Sequence, residues 1–417
     1  MLTLDKWIKE EPKPSWNVNI YIDYHDLAPY FKEQEKAIDY ENLYSYLENQ
    51  FGKNIVPYLY MGAYSEDYIP RHIAERQKKH FNYLTQIGFR LRTCIKYIRN
   101  SHMLTVKGAE VSLGIDLMQH AHEKEDHKDT AILFCGEWNR YRKIVDTIKK
   151  KYGVKLKIFS LAQEYEDNYQ TFLDFISKVG APLKTGTDKK KEDLKSIKPS
   201  QISDMLASFN ETSLRQRMKR TQGAASKKHL DTFVYIDYGN IHHSLIDLKR
   251  NNARMKNLTE ADLFLILKQK AEARNNVLKS VLFMGTPLLK IDELKVLRKK
   301  NERLKKFLEQ KGFEVHFLYN EVLYKGGMKE RGVDLSLGIS IIQAALEQQF
   351  EKAILISGDA DFVPVVQKLK ELNKEIEIWS FTKPENNCAL SPFLLLEMSK
   401  HGDIYQKIKS INSLLHC

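Results

Sequence analysis

The sequence predicts an α/β protein made of two tandem copies of one domain, each a mainly parallel sheet with helices on both faces. Three observations carry this reading: an internal repeat, short buried-strand patterns alternating with helical ones, and acidic residues recurring where strands should end.

The repeat comes first, because it sets the domain organisation. NIYIDYHDL (Asn19–Leu27) is matched by FVYIDYGNI (Phe233–Ile241), and VPYLYMGAY (Val56–Tyr64) by KSVLFMGTP (Lys279–Pro287). Each copy then carries a charged amphipathic stretch ending in Gly-Phe, at Gly88-Phe89 and Gly312-Phe313. KGAEVSLGIDLMQHA from Lys107 matches RGVDLSLGISIIQAA from Arg331, and AILFCGEWNRYRKIV from Ala131 matches AILISGDADFVPVV from Ala353. Asp23 to Glu110 spans 87 residues and Asp237 to Asp334 spans 97; Glu110 to Glu137 spans 27 and Asp334 to Asp359 spans 25. Chance does not keep five segments in that order and register.

Within each copy, near-continuous apolar runs such as VNIYI, IVPYLYM, AILF and LKIFSL read as strands buried on both faces. Between them lie helical patterns, for example Ile291, Leu294, Leu297, Leu304 and Leu308 among lysines and arginines. Gly88 and Gly312 fall where a helix end favours a residue tolerant of positive φ. Alternation with short connections implies right-handed βαβ units. The expected boundaries are 15–179 for the first copy, 180–230 for a linker and 231–405 for the second copy. Lys184–Lys228 holds 12 Lys or Arg against 5 Asp or Glu, and reads equally as a solvated tether or an RNA-contacting arm, with a short helix near Ser200–Phe209.

Composition narrows the classes. With 42% hydrophobic and 29% charged residues the chain suits a soluble protein, and no apolar run reaches the ~18 residues of a membrane span. Four scattered cysteines, without metal-finger spacing, and a polar MLTLDKWIKEEPKPSW start imply reduced thiols in a cytoplasm. A net charge of +12 favours a polyanionic partner, nucleic acid first, because lysine and arginine displace counterions from phosphates.

The chemistry follows from the carboxylates. In an open parallel sheet the functional crevice lies at the carboxyl ends of the strands. Asp237 closes the strand FVYI, Asp359 and Asp361 follow AILIS, and Asp334 opens the Val333–Leu346 helix. Carboxylates crowded together need a compensating cation, and oxygen ligands without His or Cys suit Mg²⁺ or Mn²⁺. Such a metal lowers the pKa of a bound water and neutralises a phosphate under attack. Asn240, three residues beyond Asp237, can orient a water or phosphate oxygen. More ordinary roles exist: Asp361 as an N-cap of the following helix, Asp23 and Asp237 as caps of strand-to-helix turns, and His242 and His243 as surface or turn residues.

IDYGN, GVDLSL and SGDADFVPVV, in that order and spacing, resemble the NYN domains of the PIN-like nuclease superfamily, including the LabA-like group. The resemblance covers nearly all of Asp231–Phe381. It implies PIN-like Rossmannoid domains and a metal-dependent ribonuclease whose site is Asp237, Asn240, Asp334, Asp359 and Asp361. One departure stands out: where the family often has a further Asp, this chain has Ser340. The first copy departs differently. It keeps Asp23, has Asp26 for Asn240, Glu110 for Asp334 and Glu137 for Asp359, carries Asn139 and Arg140 in place of Asp361 and Phe362, and has Asp116 opposite Ser340. A methylene of displacement often abolishes catalysis, so the first copy reads as weakened or binding-only. The alternative for the whole chain is an RNA-binding or regulatory protein with vestigial nuclease sites. A haloacid-dehalogenase-like phosphatase is disfavoured, since DYGNI and DYHDL lack the residue that should follow its nucleophile. The repeat admits an intramolecular pseudo-dimer and, equally, homo-oligomers.

Overall fold

The computed structural model describes residues 18–64, 71–99, 103–123, 130–161, 169–182, 230–251, 255–287, 292–322, 328–329, 332–381, 390–391, 394, 397–398 and 408–415. The chain divides into two compact units, Met1–Pro199 and Ser200–Cys417. The linker cations Lys189, Lys190, Lys191, Arg215, Arg217, Lys219 and Arg220, and the helix expected at Ser200–Phe209, lie outside the described residues.

In the first unit the strands are β1 (Val18–Asp23), β2 (Lys36–Ile38), β3 (Ile55–Ala63), β4 (Arg90–Arg99), β5 (Met103–Lys107), β6 (Thr130–Cys135), β7 (Lys155–Ser160) and β8 (Gly180–Pro182). Six form a sheet in the order β5-β4-β3-β1-β6-β7, while β2 and β8 make a separate antiparallel ribbon. Only the β4–β5 pairing within the sheet is antiparallel. In the second unit the strands are β9 (Asp231–Asp237), β10 (Asn276–Pro287), β11 (Glu314–Val322), β12 (Met328–Lys329), β13 (Lys352–Ile356), β14 (Glu375–Ser380) and β15 (Ile408–Ser410). Their order, β12-β11-β10-β9-β13-β14-β15, repeats the first sheet and adds a strand. Both units are therefore α/β with a mainly parallel sheet, as the repeat predicts.

The sequence explains the layers. All six residues of β1 are buried, including Ile20 and Ile22 within the core, because helices cover both faces of a parallel sheet. The helix Tyr40–Phe51 buries Leu43, Leu47 and Phe51 at a four-residue spacing and is capped by Asp39, whose carboxylate accepts the Asn42 N–H. In the second unit Thr259 and Asp262 close a capping box at the start of Glu260–Glu272, which buries Leu263, Phe264, Leu267 and Ala271. Gly88 (φ 120°) and Gly312 (φ 79°) occupy the positive-φ positions expected after their helices. The run RLRTCIKYIR (Arg90–Arg99) forms β4.

Two boundaries run further than the sequence suggests. Gly180–Pro182 pairs with β2, so the first unit extends past Val179. Beyond Tyr405, β15 joins β14 in parallel, and Ile408, Ile411 and Leu414 are buried. Each of these strands is three residues long, too short to show a period.

The strand order places the site. From β1 the chain runs outward through β3 and β4, then returns to the other side of β1 for β6 and β7. The β1/β6 border is thus a topological switch point, and the β9/β13 border is its counterpart. Ile22 lies opposite Phe134 and Ile236 opposite Ile356, so the next residues, Asp23 and Asp237, emerge beside Cys135 and Ser357. Just past that point Gly136 packs so closely on the helix Tyr24–Glu33 that an added Cβ would lie 2.1 Å from the Asp26 carbonyl oxygen. Gly136→Ala should therefore destabilise the first unit by about 1–3 kcal/mol, read from urea denaturation of the full chain. An unshifted transition would contradict the close packing at this border.

Candidate nuclease site

In the second unit, Asp237 is 4% exposed at the end of β9. A buried carboxylate needs donors, and two are visible. The Asn240 backbone N–H donates to Asp237 Oδ1 at 3.1 Å, and the Ser357 hydroxyl donates to Oδ2 at 2.8 Å. The same Ser357 oxygen accepts the Asp359 N–H at 3.2 Å. Asn240 Oδ1 accepts the Gly358 N–H at 3.0 Å. The carboxyl ends of β9 and β13 are thus laced together by side chains from both. Asp359, not Asp361, acts as the cap: its Oδ1 accepts the Asp361 N–H at 3.0 Å and opens the short 3₁₀ turn Ala360–Phe362. Pro364 then starts the helix Val363–Glu371, where its missing N–H costs nothing. Asp334 sits half-buried in the first turn of Val333–Leu346, a helix buried along almost its whole length that packs on the Ala360–Phe362 turn. Its negative charge is favourable at a helix N-terminus.

The first unit has the same frame with different chemistry. Asp23, 1% exposed, accepts the N–H groups of His25 (3.0 Å) and Asp26 (3.2 Å) through Oδ1. Its Oδ2 accepts the Tyr141 hydroxyl at 2.6 Å. Cys135 stands at the Ser357 position, and its thiol reaches Phe159 O at 3.8 Å instead. Asp26 Oδ2 accepts the Glu137 N–H at 2.7 Å, again tying the first helix to the turn after the partner strand. Burial, with Asp26 and Glu110 nearby, pushes the Asp23 carboxyl well above the usual carboxylate range. Arg140 lies among the acidic groups, 2.6 Å from Glu110 Oε1, 3.4 Å from Asp26 Oδ1 and 3.5 Å from Glu137 Oε2. Burial opposes its charge, but Asp26 and Glu110 outweigh that and hold its pKa above the usual guanidinium value. Asp116 is directed elsewhere. Arg92 Nε pairs with it at 2.8 Å and the Tyr60 hydroxyl donates to the same oxygen at 2.6 Å.

Other expectations are placed as follows. His242 is half-buried on the helix Tyr238–Asn251, stacks on Tyr238 and pairs with Glu260. The side chains of Trp138 and Asn139 lie outside the described residues. Cys94 and Cys135 are buried free thiols, while Cys388 and Cys417 lie outside the described residues.

The two units differ in how they suit a metal ion. Among the described residues no group of three His, Cys, Asp or Glu side chains is placed to hold a metal ion. In the second unit the donors are nevertheless of the right kind, carboxylate oxygens of Asp237, Asp334, Asp359 and Asp361, and the residue at the Arg140 position is Phe362, fully buried in the core. That set fits a hard divalent cation in its chemistry, and binding would draw the carboxylates together. In the first unit a guanidinium already stands between Asp26, Glu110 and Glu137, and the residues do not fit a metal.

The NYN domain model matches residues 17–176 and 231–392. The chain belongs to the NYN-domain family. The first segment holds the whole six-stranded sheet and the second holds every strand of the seven-stranded sheet except β15, so this is a tandem NYN-domain protein, and the family falls within a nuclease-like superfamily. No curated protein matches the chain. Among solved structures, a glycosyl transferase family 9 protein of Veillonella parvula is 9% identical, covering 97% of each chain with a TM-score of 0.22. A UDP-GlcNAc 2-epimerase of Neisseria meningitidis, bound to UDP-GlcNAc, is 10% identical and covers 87% of this chain and 81% of its own with a TM-score of 0.17. Neither likeness is close enough to bear on fold or function.

Sequence reasoning missed Ser357 and Tyr141 in the two NYN domains, and gave Arg140 a position without a role. The only signal was paired: where the second copy has neutral Asn240 and Phe362, the first has Asp26 and Arg140. Ser357→Ala should remove one donor from a buried carboxylate and cost about 1–3 kcal/mol in urea denaturation. A neutral substitution would mean the hydroxyl does not hold Asp237.

Proposed function

We propose that the second NYN domain is a cytoplasmic, Mg²⁺- or Mn²⁺-dependent endoribonuclease that hydrolyses RNA phosphodiesters. The observation that carries this reading is the tie of Asp237 and the Asp359 turn to one hydroxyl at the topological switch point. Buried free thiols at Cys94 and Cys135 suit a reducing compartment. The net charge of +12 suits RNA.

Asp237, Asp334, Asp359 and Asp361 would hold the ion, which supplies Lewis-acid charge to the phosphate and lowers the pKa of an attacking water. The protein's own residues set the geometry. Asp237 is held by two donors on different elements, which fixes its carboxylate plane. Asn240 spends its oxygen on the Gly358 N–H, so its amide NH₂ is the group available to donate to a phosphate oxygen. Asp361 is half-buried in the turn after β13, and Asp334 opens a helix that packs on that turn.

Incubation of labelled RNA with Mg²⁺, Mn²⁺ or EDTA tests the activity, and Asp359→Asn tests the assignment. The variant should cut at least ~10²-fold more slowly while keeping its fold. Full cleavage by Asp359→Asn, or cleavage that EDTA does not touch, would overturn the reading.

A further inference from the structure

We infer that Arg140 takes the place of a metal ion in the first NYN domain, making that acidic site an arginine-occupied one that does not take a divalent cation. The inference concerns the first domain alone and stands whether or not the second domain cuts RNA.

Asp26, Glu110 and Glu137 come from three different elements: the first helix, the helix Ala109–Glu123 and the turn after β6. The two that align with Asp334 and Asp359 are Glu110 and Glu137. At the Arg140 position the second domain has the fully buried ring of Phe362, whereas the first places a guanidinium within 2.6–3.5 Å of all three carboxylates. Arg140 is 18% exposed, so its charge is committed to the site and not to solvent. Its Nε faces Glu137 Oε2 at 3.5 Å without hydrogen-bond geometry, as expected for one cation shared among several anions and not a dedicated pair. The two substitutions also compensate one another. Relative to the second domain, Asp26 adds one negative charge and Arg140 adds one positive charge in direct contact with it. A second, divalent cation at the same point would meet strong like-charge repulsion in a half-buried setting. Asp116 cannot make up the ligand set, because Arg92 and Tyr60 already hold it.

The test uses the full chain carrying Asp334→Asn and Asp359→Asn, so that the first domain alone reads out. Bound Mn²⁺ is counted by electron paramagnetic resonance of the free ion, beside melting curves with and without Mn²⁺. This parent should bind no Mn²⁺ at the first site and melt at the same temperature with or without it. Arg140→Gln should melt lower without metal, take about one Mn²⁺ per chain and regain roughly 2–4 °C or more on adding it. Arg140→Lys, which keeps the charge, should behave as the parent. If Arg140→Gln does not fold, the charge-balanced Asp26→Asn/Arg140→Phe pair, which copies the second domain, replaces it and should gain Mn²⁺ binding. Stoichiometric Mn²⁺ binding at the first site with Arg140 in place would overturn the inference. So would failure of the charge-balanced variant, or of a folded Arg140→Gln, to gain any.

Discussion

A carboxylate at the end of the first strand of each domain, buried at the border where strand order reverses, is the constraint on which the rest depends. Asp23 and Asp237 are almost fully enclosed, and an enclosed carboxylate is tolerated only when donors reach it. The donors come from the residues that follow it and from the strand on the far side of the reversal. That requirement stitches β1 to β6 and β9 to β13 at their carboxyl ends.

The two domains meet the requirement with different residues. In the second, Ser357 holds Asp237 and also receives the Asp359 turn, so a small hydroxyl joins two acidic residues. In the first, Cys135 cannot do this as well, since a thiol is a weak donor, and the Tyr141 hydroxyl takes over from the next turn. Once Tyr141 and Arg140 occupy that turn, the site is filled from within. The same backbone frame therefore carries Asp237, Asn240 and the Asp359 turn in one domain and an acidic cluster occupied by an arginine in the other. Fold and function separate here as they do across folds generally: the frame is shared, and the side chains at the border decide the chemistry.

Much of this was legible in the chain. The repeat gave the two domains because its motifs are long and ordered, and β9 and β13 were readable because buried parallel strands are continuous apolar runs. The convergence of Asp237 with the Asp359 turn followed from strand ends alone. What stayed hidden depends on which atom meets which. Nothing in SGDADF says that Asp359 rather than Asp361 caps the turn, or that Ser357 bridges two aspartates. Asp116 aligned with Ser340 by register, yet its carboxylate turns to Arg92 and Tyr60, partners set by strands β3 and β4 far away in sequence. The short strands β8 and β15 leave no period to detect. The pairing of Asp26 with Arg140 was visible as two substitutions but not as one contact.

The proposed contrast between the two acidic sites is tested most directly by anomalous diffraction from crystals of the wild-type chain soaked in Mn²⁺. The account predicts an anomalous peak beside Asp237 and Asp359 in the second domain and none among Asp26, Glu110 and Glu137 in the first. A peak at the first-domain cluster with Arg140 in place, or its absence from the second, would contradict it.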